Sequence, residues 1–270
     1  MKPEPPPWFP APTMADLRDQ LSLEELIGTG WPTLDEILGG LRRGQVYAVE
    51  GPQGSRRRVL ARLAAWAGGA GHRVVWVGNT QTAPGMKLQV MAAGVGCSPA
   101  ELATTTDLDD LLDEAIRRIH VVTVGADCGP ESWLRDLVTS GVPFDVLIVD
   151  DFTRGDDAWV KALGGAVDVF WSEPWGAVLR LAARRHAVIV LAGRSMPRAD
   201  VAAHVQLGGY RSGTRSLGVA VDAPEVQATA RMPVDPGPPA ASGRPLNVWE
   251  ELAERRLLSF AAALGATPVE

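Results

Sequence analysis

Cysteine is scarce in this 270-residue chain, which contains only Cys97 and Cys128. Neither lies in a C-x-x-C pair or beside a pair of histidines, so the sequence predicts no disulfide framework and no structural zinc site. Long apolar runs are also missing, and stretches such as HAVIVLAG at 186–193 are far too short to cross a bilayer. The N-terminus MKPEPPPWFPAP lacks the apolar core of a signal peptide. We therefore expect a cytoplasmic protein without a membrane partner.

An excess of positive charge is absent too. The chain has 26 basic and 32 acidic side chains, a net charge of −6, so binding to nucleic acid would require local basic patches. Such patches occur at RRGQ, SRRR, RRH and YRSGTR, but each sequence of this kind more often marks an exposed turn or a helix end. The hydrophobic fraction of 46% is typical of a globular protein with one large core.

Proline divides the chain into parts. It crowds the first residues and the stretch MPVDPGPPAASGRP, which predicts a flexible tail at 1–13 and a linker at 232–246. The folded body is expected at 14–231. Apolar residues at helical spacing predict a last helix at 247–270, which can dock on its own core or on a partner.

Short runs rich in Val and Ile alternate with amphipathic segments through the body. They predict strands at 45–50, 73–78, 119–125, 144–151 and 187–193, with helices between them, including 107–118 and one that begins near Ser172. Such a pattern is typical of an α/β protein with a mostly parallel sheet and helices on both faces. After Asp200 the runs become short and Gly-rich turns separate them, which predicts an antiparallel extension of the sheet.

The segment GPQGSRRR follows the first predicted strand and opens the first helix, where a phosphate-binding loop would stand. Compared with the loop pattern G-x-x-x-x-G-K-[ST], its glycines Gly51 and Gly54 fit the front half. Its back half has arginine for the last glycine, for the lysine and for the hydroxyl residue. The candidate phosphate-binding residues are Gly51, Gly54, Ser55, Arg56, Arg57 and Arg58.

Each substitution has a chemical consequence. Arg56 adds bulk where a main chain should approach phosphates closely. Arg57 keeps the charge but presents a planar guanidinium instead of an ammonium. Arg58 removes the hydroxyl that would hold Mg²⁺. Asp150, at the end of VLIVDD, could hold a metal through water, although two acids that cap a strand end fit the pattern equally well.

Several segments together resemble the RecA-like P-loop ATPases, and most closely the C-terminal motor domain of DnaB-type replicative helicases. The most specific is TGWPTLDEILGGLRRGQVYAVEGPQG, which resembles the segment that leads into the phosphate loop of that family. GHRVVWVGNTQTAPGMKLQVMAAGVGCSPAEL is similar to its second strand and the helical insert, FDVLIVDDF to its Walker B strand, and VLRLAARRHAVIVLAGR to its sensor strand. RADVAAHVQLGGYRSGTRSLGVAV is similar to the closing strands, so that the resemblance covers about residues 28–231.

The resemblance implies ATP and Mg²⁺ as cofactors, but the departures fall on the chemistry. Gln81 aligns with the water-activating glutamate, and an amide cannot take a proton. Gly193 or Arg194 stands where the family usually has a glutamine, and of the catalytic set only Asp150 remains, as a Walker B-like carboxylate and metal ligand. The sequence therefore predicts an intact RecA-like core with a degenerate Walker A site.

Two functions stay open. The first is a scaffold or regulatory subunit of DNA replication, recombination or repair that does not hydrolyse ATP. It would bind single-stranded DNA or a replication or repair protein, and would form homo-oligomers or pair with an active RecA-like subunit. The alternative is an active ATP-dependent helicase or ATPase with an atypical loop. DNA binding would use Arg154, Lys161 and Arg194 at the carboxyl edge of the sheet, whereas a motor would need a finger residue, for which the candidates are Arg211 and Arg215.

Overall fold

The computed structural model describes residues 26–78, 82–103, 113, 116–123, 143–150, 182–194, 201–209, 216–224 and 226–233. Four helices with defined bounds lie in these ranges: α1 (Pro32–Leu38), α2 (Gln53–Gly69), α3 (Ala83–Val95) and α4 (Pro99–Leu102). The strands are β1 (Val46–Glu50), β2 (Val74–Gly78), β3 (Ile119–Thr123), β4 (Val146–Val149), β5 (Val188–Gly193), β6 (Ala203–Leu207), β7 (Ser216–Ala223) and β8 (Val226–Pro233).

All eight strands form one sheet, in the order β3-β2-β4-β5-β1-β6-β7-β8. The strands from β3 to β6 run parallel, and β7 and β8 are added antiparallel to β6. The α/β class, the mostly parallel sheet and its antiparallel extension are therefore confirmed, and the arrangement is compatible with the RecA-like resemblance. β8 continues to Pro233, just inside the range predicted as a linker.

The inner strands are apolar throughout because both faces of the sheet are buried. On one face, Trp76 and Ile148 belong to the same core cluster as Leu60 and Leu63 of α2. Side chains alternate along a strand, so Leu147 and Ile189, which are also fully buried, point to the opposite face. Most of the predicted helix at 107–118, the predicted helix that begins near Ser172 up to residue 181, and the predicted helix at 247–270 lie outside the described ranges. Residues 182–185, the end of the second of these, are helical.

The entry segment, residues 26–45 before β1, packs against α2. Trp31 precedes α1, is 3% exposed, and donates a hydrogen bond from Nε1 to the carbonyl of Val59 at 3.3 Å. The guanidinium of Arg62 lies 5.5 Å from the centre of the Trp31 ring, a favourable cation–π distance. Asp35 accepts the Thr29 N–H at 2.7 Å, and burial raises the pKa of its carboxyl against this hydrogen bond. These contacts hold the entry segment beside the first turns of α2.

Within the described ranges no helix is both long and apolar enough to span a bilayer.

Candidate functional site

The candidate site lies at the carboxyl edge of the sheet, where parallel strands end together. β1 and β4 are separated by β5, and each is followed at once by a polar or glycine residue. Gly51 follows β1 and donates its N–H to the carbonyl of Gly193, the last residue of β5, at 3.1 Å. Asp150 follows β4, and its N–H donates to the carbonyl of Val77 at 2.8 Å. This crevice at the ends of the strands is where ligands bind in open α/β sheets.

Gly51 occupies a conformation that only glycine adopts with ease. Its φ is 149°, and a Cβ built on it would lie 2.7 Å from the carbonyl oxygen of Leu207 at the end of β6. Any other residue here would have to push β6 away from β1. The glycine at the front of the loop therefore serves the packing of the strand ends, whatever else the loop binds.

The segment after Gly51 is helical, not an open loop. α2 begins at Gln53, and the N–H of Arg56 already donates to the carbonyl of Pro52 at 3.0 Å. From Arg56 onward, the backbone N–H groups are used inside the helix. The N–H groups without an intrahelical acceptor are therefore those of residues 53–55. A phosphate loop instead turns a series of backbone N–H groups toward its ligand.

Arg56 crosses the crevice to Asp150. The residue is 1% exposed, and its Nη1 donates to the carbonyl of Gly51 at 2.6 Å. Its Nη2 and Nε donate to Oδ1 of Asp150 at 3.2 and 3.4 Å. Nε of Arg57 lies 3.6 Å from Oδ2 of the same carboxylate. Both oxygens of Asp150, which is 2% exposed, thus face a guanidinium.

This arrangement does not fit a Mg²⁺ ion. Asp150 would be its carboxylate, but both of its oxygens are occupied by arginine, and position 58 offers no hydroxyl. A divalent cation would have to displace two positive groups from one carboxylate. In the described part of the chain, no three His, Cys, Asp or Glu side chains come together as a metal-binding group.

The six predicted phosphate-binding residues do not act as one set. Gly51, Arg56 and Arg57 converge with Asp150 at the crevice. Ser55 is 1% exposed, and its Oγ donates to the carbonyl of Gly208 beyond β6 at 2.9 Å. Gly54 and Arg58 are exposed and line a separate cavity beside α2.

The remaining predicted residues divide into two groups. Arg194 is exposed directly after β5, at the carboxyl edge and next to the crevice. The others lie outside the described residues: Gln81, Arg154, Lys161, Arg211 and Arg215.

One polar pair at the same edge was not predicted from the sequence. Nε2 of His204 in β6 lies 3.1 Å from Oε2 of Glu50, the last residue of β1, and the His204 side chain is 4% exposed. Glu50 ends the otherwise apolar run of β1, and His204 lies between apolar residues of β6, so the available signal was a polar residue at each of these positions. Pairing them required the contact between β1 and β6, which the sequence pattern alone does not provide.

No protein-family model matches this chain. A DNA repair protein RadA from Brucella abortus (strain 2308) is 28% identical to it over 104 residues. The match spans 38% of this chain and 22% of the length of that RadA protein. It supports a relationship at the level of the RecA-like P-loop ATPase superfamily and nothing finer. The closer relationship to DnaB-type helicases stays a prediction.

Proposed function

We propose that this protein is a RecA-like factor of DNA repair or recombination that acts by binding, with a nucleotide site closed by its own arginine. The observation that carries the proposal is the buried contact of Arg56 with Asp150 and the Gly51 carbonyl. The similarity to a DNA repair protein RadA supports the biological context.

Arg56 obstructs the site in two ways. Its side chain lies across the crevice between the end of β1 and the end of β4, the region that nucleotide phosphates and their metal would need. Its positive charge also neutralises the carboxylate that would attract the metal. Expelling the side chain would leave Asp150 buried without its closest partner, which is costly because an unpaired buried charge loses its hydration without compensation.

Arg57 and Arg58 also remove groups that ATP and Mg²⁺ would need. Arg57 contacts the second oxygen of Asp150, and Arg58 occupies the sequence position at which a Mg²⁺-binding hydroxyl is expected. Hydrolysis of ATP would need a carboxylate, a metal and a water-activating base, and the chain has Gln81 in place of the base. These substitutions favour a scaffold or regulatory subunit over a motor.

A titration calorimetry experiment with ATP and ADP, with and without Mg²⁺, tests the closed site. We expect no heat of binding for the wild-type protein. The triple variant Arg56→Gly, Arg57→Lys, Arg58→Thr should bind ATP with Mg²⁺. The matched control Arg57→Lys, Arg58→Thr retains Arg56 and should stay inert, since Arg56 alone lies across the crevice.

Two outcomes would overturn the proposal. Binding of ATP to the wild-type protein that strengthens with Mg²⁺ would support the alternative of an active ATPase with an atypical loop, and adding Gln81→Glu would then test turnover. Binding by the control variant as strong as by the triple variant would show that Arg56 is not the obstruction.

DNA binding is tested separately, through fluorescence anisotropy of a labelled single-stranded oligonucleotide at several salt concentrations. Arg194 is exposed at the carboxyl edge, so Arg194→Ala should weaken binding and lower the salt slope by about 0.7 for each lost phosphate contact. Arg42→Ala is the control, because Arg42 is also exposed but lies before β1, at the opposite edge. Equal effects of both substitutions would remove the support for a DNA site at this edge.

A further inference from the structure

β8 forms one edge of the sheet. Among the described strands it pairs with β7 alone, along its whole length from Val226 to Pro233. Antiparallel pairing uses the backbone groups of alternate β8 residues, so the N–H and C=O groups of the other residues point away from the sheet. A row of such groups is a template on which another strand can pair.

The edge at β8 lacks the usual protections against pairing, which are a short strand, a proline within the strand, a β-bulge or a charged side chain that points inward. Its eight residues pair with β7 in an unbroken register, which excludes a bulge, and proline occurs only as the last residue. The side chains on the same face as the buried Met232 are those of Val226, Ala228 and Ala230, so none of them is charged. β8 is therefore a long and regular edge strand.

The other face of β8 is polar and in contact with solvent. Gln227, Thr229 and Arg231 are all exposed. Nε2 of Gln227 donates to Oδ1 of Asp222 in β7 at 3.3 Å. One end of this face therefore carries the carboxylate of Asp222, and the other end carries the guanidinium of Arg231. Two copies of β8 that pair antiparallel bring these opposite charges toward each other.

We propose that β8 pairs with β8 of a second copy of this chain, across a two-fold axis at Thr229. This centre pairs all of Val226–Met232 and leaves out Pro233, which has no N–H to donate. Residues that face each other then lie on the same face of the two sheets, as antiparallel pairing requires. Arg231 faces Gln227 of the second copy, and Asp222 of that copy lies one strand further.

The same register covers an apolar side chain. Val226 is 36% exposed, and the large hydrophobic side chains that the described residues expose are Val226 and Leu26. Met232, at the other end of β8, is fully buried and belongs to the core cluster. The pairing places Val226 beside Met232 of the second copy, at the border of its core. A second copy thus covers apolar surface on one face and joins opposite charges on the other.

This interface is separate from the crevice that Arg56 closes, because that crevice lies between the ends of β1 and β4. The proposal therefore does not rest on the function proposed above. Two paired strands bury less surface than an interface of standard size, so we expect a dimer that dissociates at micromolar concentrations.

Sedimentation velocity of the full chain over a wide range of concentrations tests the dimer. The wild-type protein should change from monomer to dimer as its concentration rises. Thr229→Lys should stay monomeric, because the two lysines would face each other at the axis and like charges directly opposite destabilise paired strands. The control Gln206→Lys changes an exposed residue of β6 on the same face of the sheet, away from the edge, and should dimerise like the wild-type protein.

A disulfide tests the register. In Thr229→Cys the two cysteines face each other across the axis, within the Cα separation of about 4.4–6.8 Å that a disulfide requires, so mild oxidation should link two copies. In Gln227→Cys each cysteine faces Arg231 of the second copy and lies roughly 13 Å along the strand from its counterpart, so no link should form. The wild-type protein, with Cys97 and Cys128, gives the background of oxidation.

Three outcomes would each overturn the proposal. The first is a wild-type protein that stays monomeric at every concentration, which would leave β8 to an extended segment of another protein. The second is a Thr229→Lys protein that dimerises as well as Gln206→Lys. The third is a Gln227→Cys protein that forms linked dimers as readily as Thr229→Cys. Circular dichroism should show that all the variants are folded, since the substituted residues are exposed.

Discussion

The two ends of β4 carry the same pair of residue types in different surroundings. Asp145 precedes the strand and pairs with Arg43 at 2.7 Å, with side chains 14% and 23% exposed for Arg43 and Asp145. Asp150 follows the strand and pairs with Arg56 at 3.2 Å, with side chains 3% and 1% exposed for Asp150 and Arg56. One arginine–aspartate pair is therefore in contact with water, and the other is almost dry.

The difference in solvent contact changes what each pair does. The pair at Asp145 keeps part of its hydration, so its net contribution to stability is small and salt weakens it further. The pair at Asp150 has lost its hydration, and each charge depends on the other for compensation. A buried pair of this kind adds little to stability, but it fixes the positions of both side chains. Moving either one out would leave the other charge buried and unpaired. That constraint keeps Arg56 in the crevice.

The largest expected effect comes from removing one member of the buried pair. Asp150→Ala leaves the Arg56 guanidinium buried without its carboxylate, and should lower the free energy of unfolding by about 3–5 kcal/mol. Urea denaturation followed by circular dichroism measures the loss.

The paired replacement Arg56→Met with Asp150→Leu is the control for that variant. It removes both charges and substitutes apolar side chains, so stability should return to near the wild-type value or exceed it. A double variant as unstable as the single one would show that packing, and not the unpaired charge, causes the loss. The comparison between the two ends of β4 would then fail.

A smaller effect is expected at the other end of the strand. Arg43→Met breaks the partly exposed pair with Asp145 and should lower the free energy of unfolding by about 0.2–1 kcal/mol. The same denaturation assay applies, and adding salt should reduce the difference from the wild-type protein. A loss as large as that of Asp150→Ala would contradict the distinction between a hydrated and a dry pair.

The fold could be predicted from the sequence because strand signals are local. The runs at 45–50, 73–78 and 187–193 are rich in β-branched residues and bounded by glycine, and the structure has strands at each of them. The turn from parallel to antiparallel strands after Asp200 could also be predicted, since short runs with Gly-rich connections favour hairpins. The strand order depends on contacts between distant parts of the chain and was not predicted.

The sequence predicted which residues belong to the site, but not the contacts that they make with one another. The pattern identified Gly51, Arg56 and Asp150 as members of one site, but described Arg56 only as a phosphate-binding candidate that adds bulk to a loop. Its partners are a carboxylate 94 positions away and the carbonyl of Gly51, and α2 begins at Gln53. No local signal reports that a helix starts this early or that an arginine points inward. The same limit applies to the cavity beside α2, whose walls come from three separate segments.

The smallest expected effects appear in acid, where the pKa values of two aspartates are shifted in opposite directions. Burial alone would raise the pKa of Asp145, but the Arg73 N–H and the ion pair with Arg43 outweigh it and hold that pKa below its ordinary value. The stability that Asp145 contributes is therefore present above its ordinary pKa and is lost as the pH falls through the lowered one. Burial raises the pKa of Asp35 instead, so protonation in the folded protein becomes favourable as the pH falls toward the ordinary value.

Stability measured from about pH 5 to about pH 3, a range around the ordinary pKa of aspartate, separates these two effects. The advantage of the wild-type protein over Asp145→Asn should shrink as the pH falls, because the protonated carboxyl no longer pairs with Arg43. The difference between the wild-type protein and Asp35→Asn should change in favour of the wild-type protein, because protonation removes the burial penalty. If stability changed with pH in the same way for the two variants, the ion pair with Arg43 would not set the charge state of Asp145. The description of Asp145 as one member of a hydrated ion pair would then be wrong.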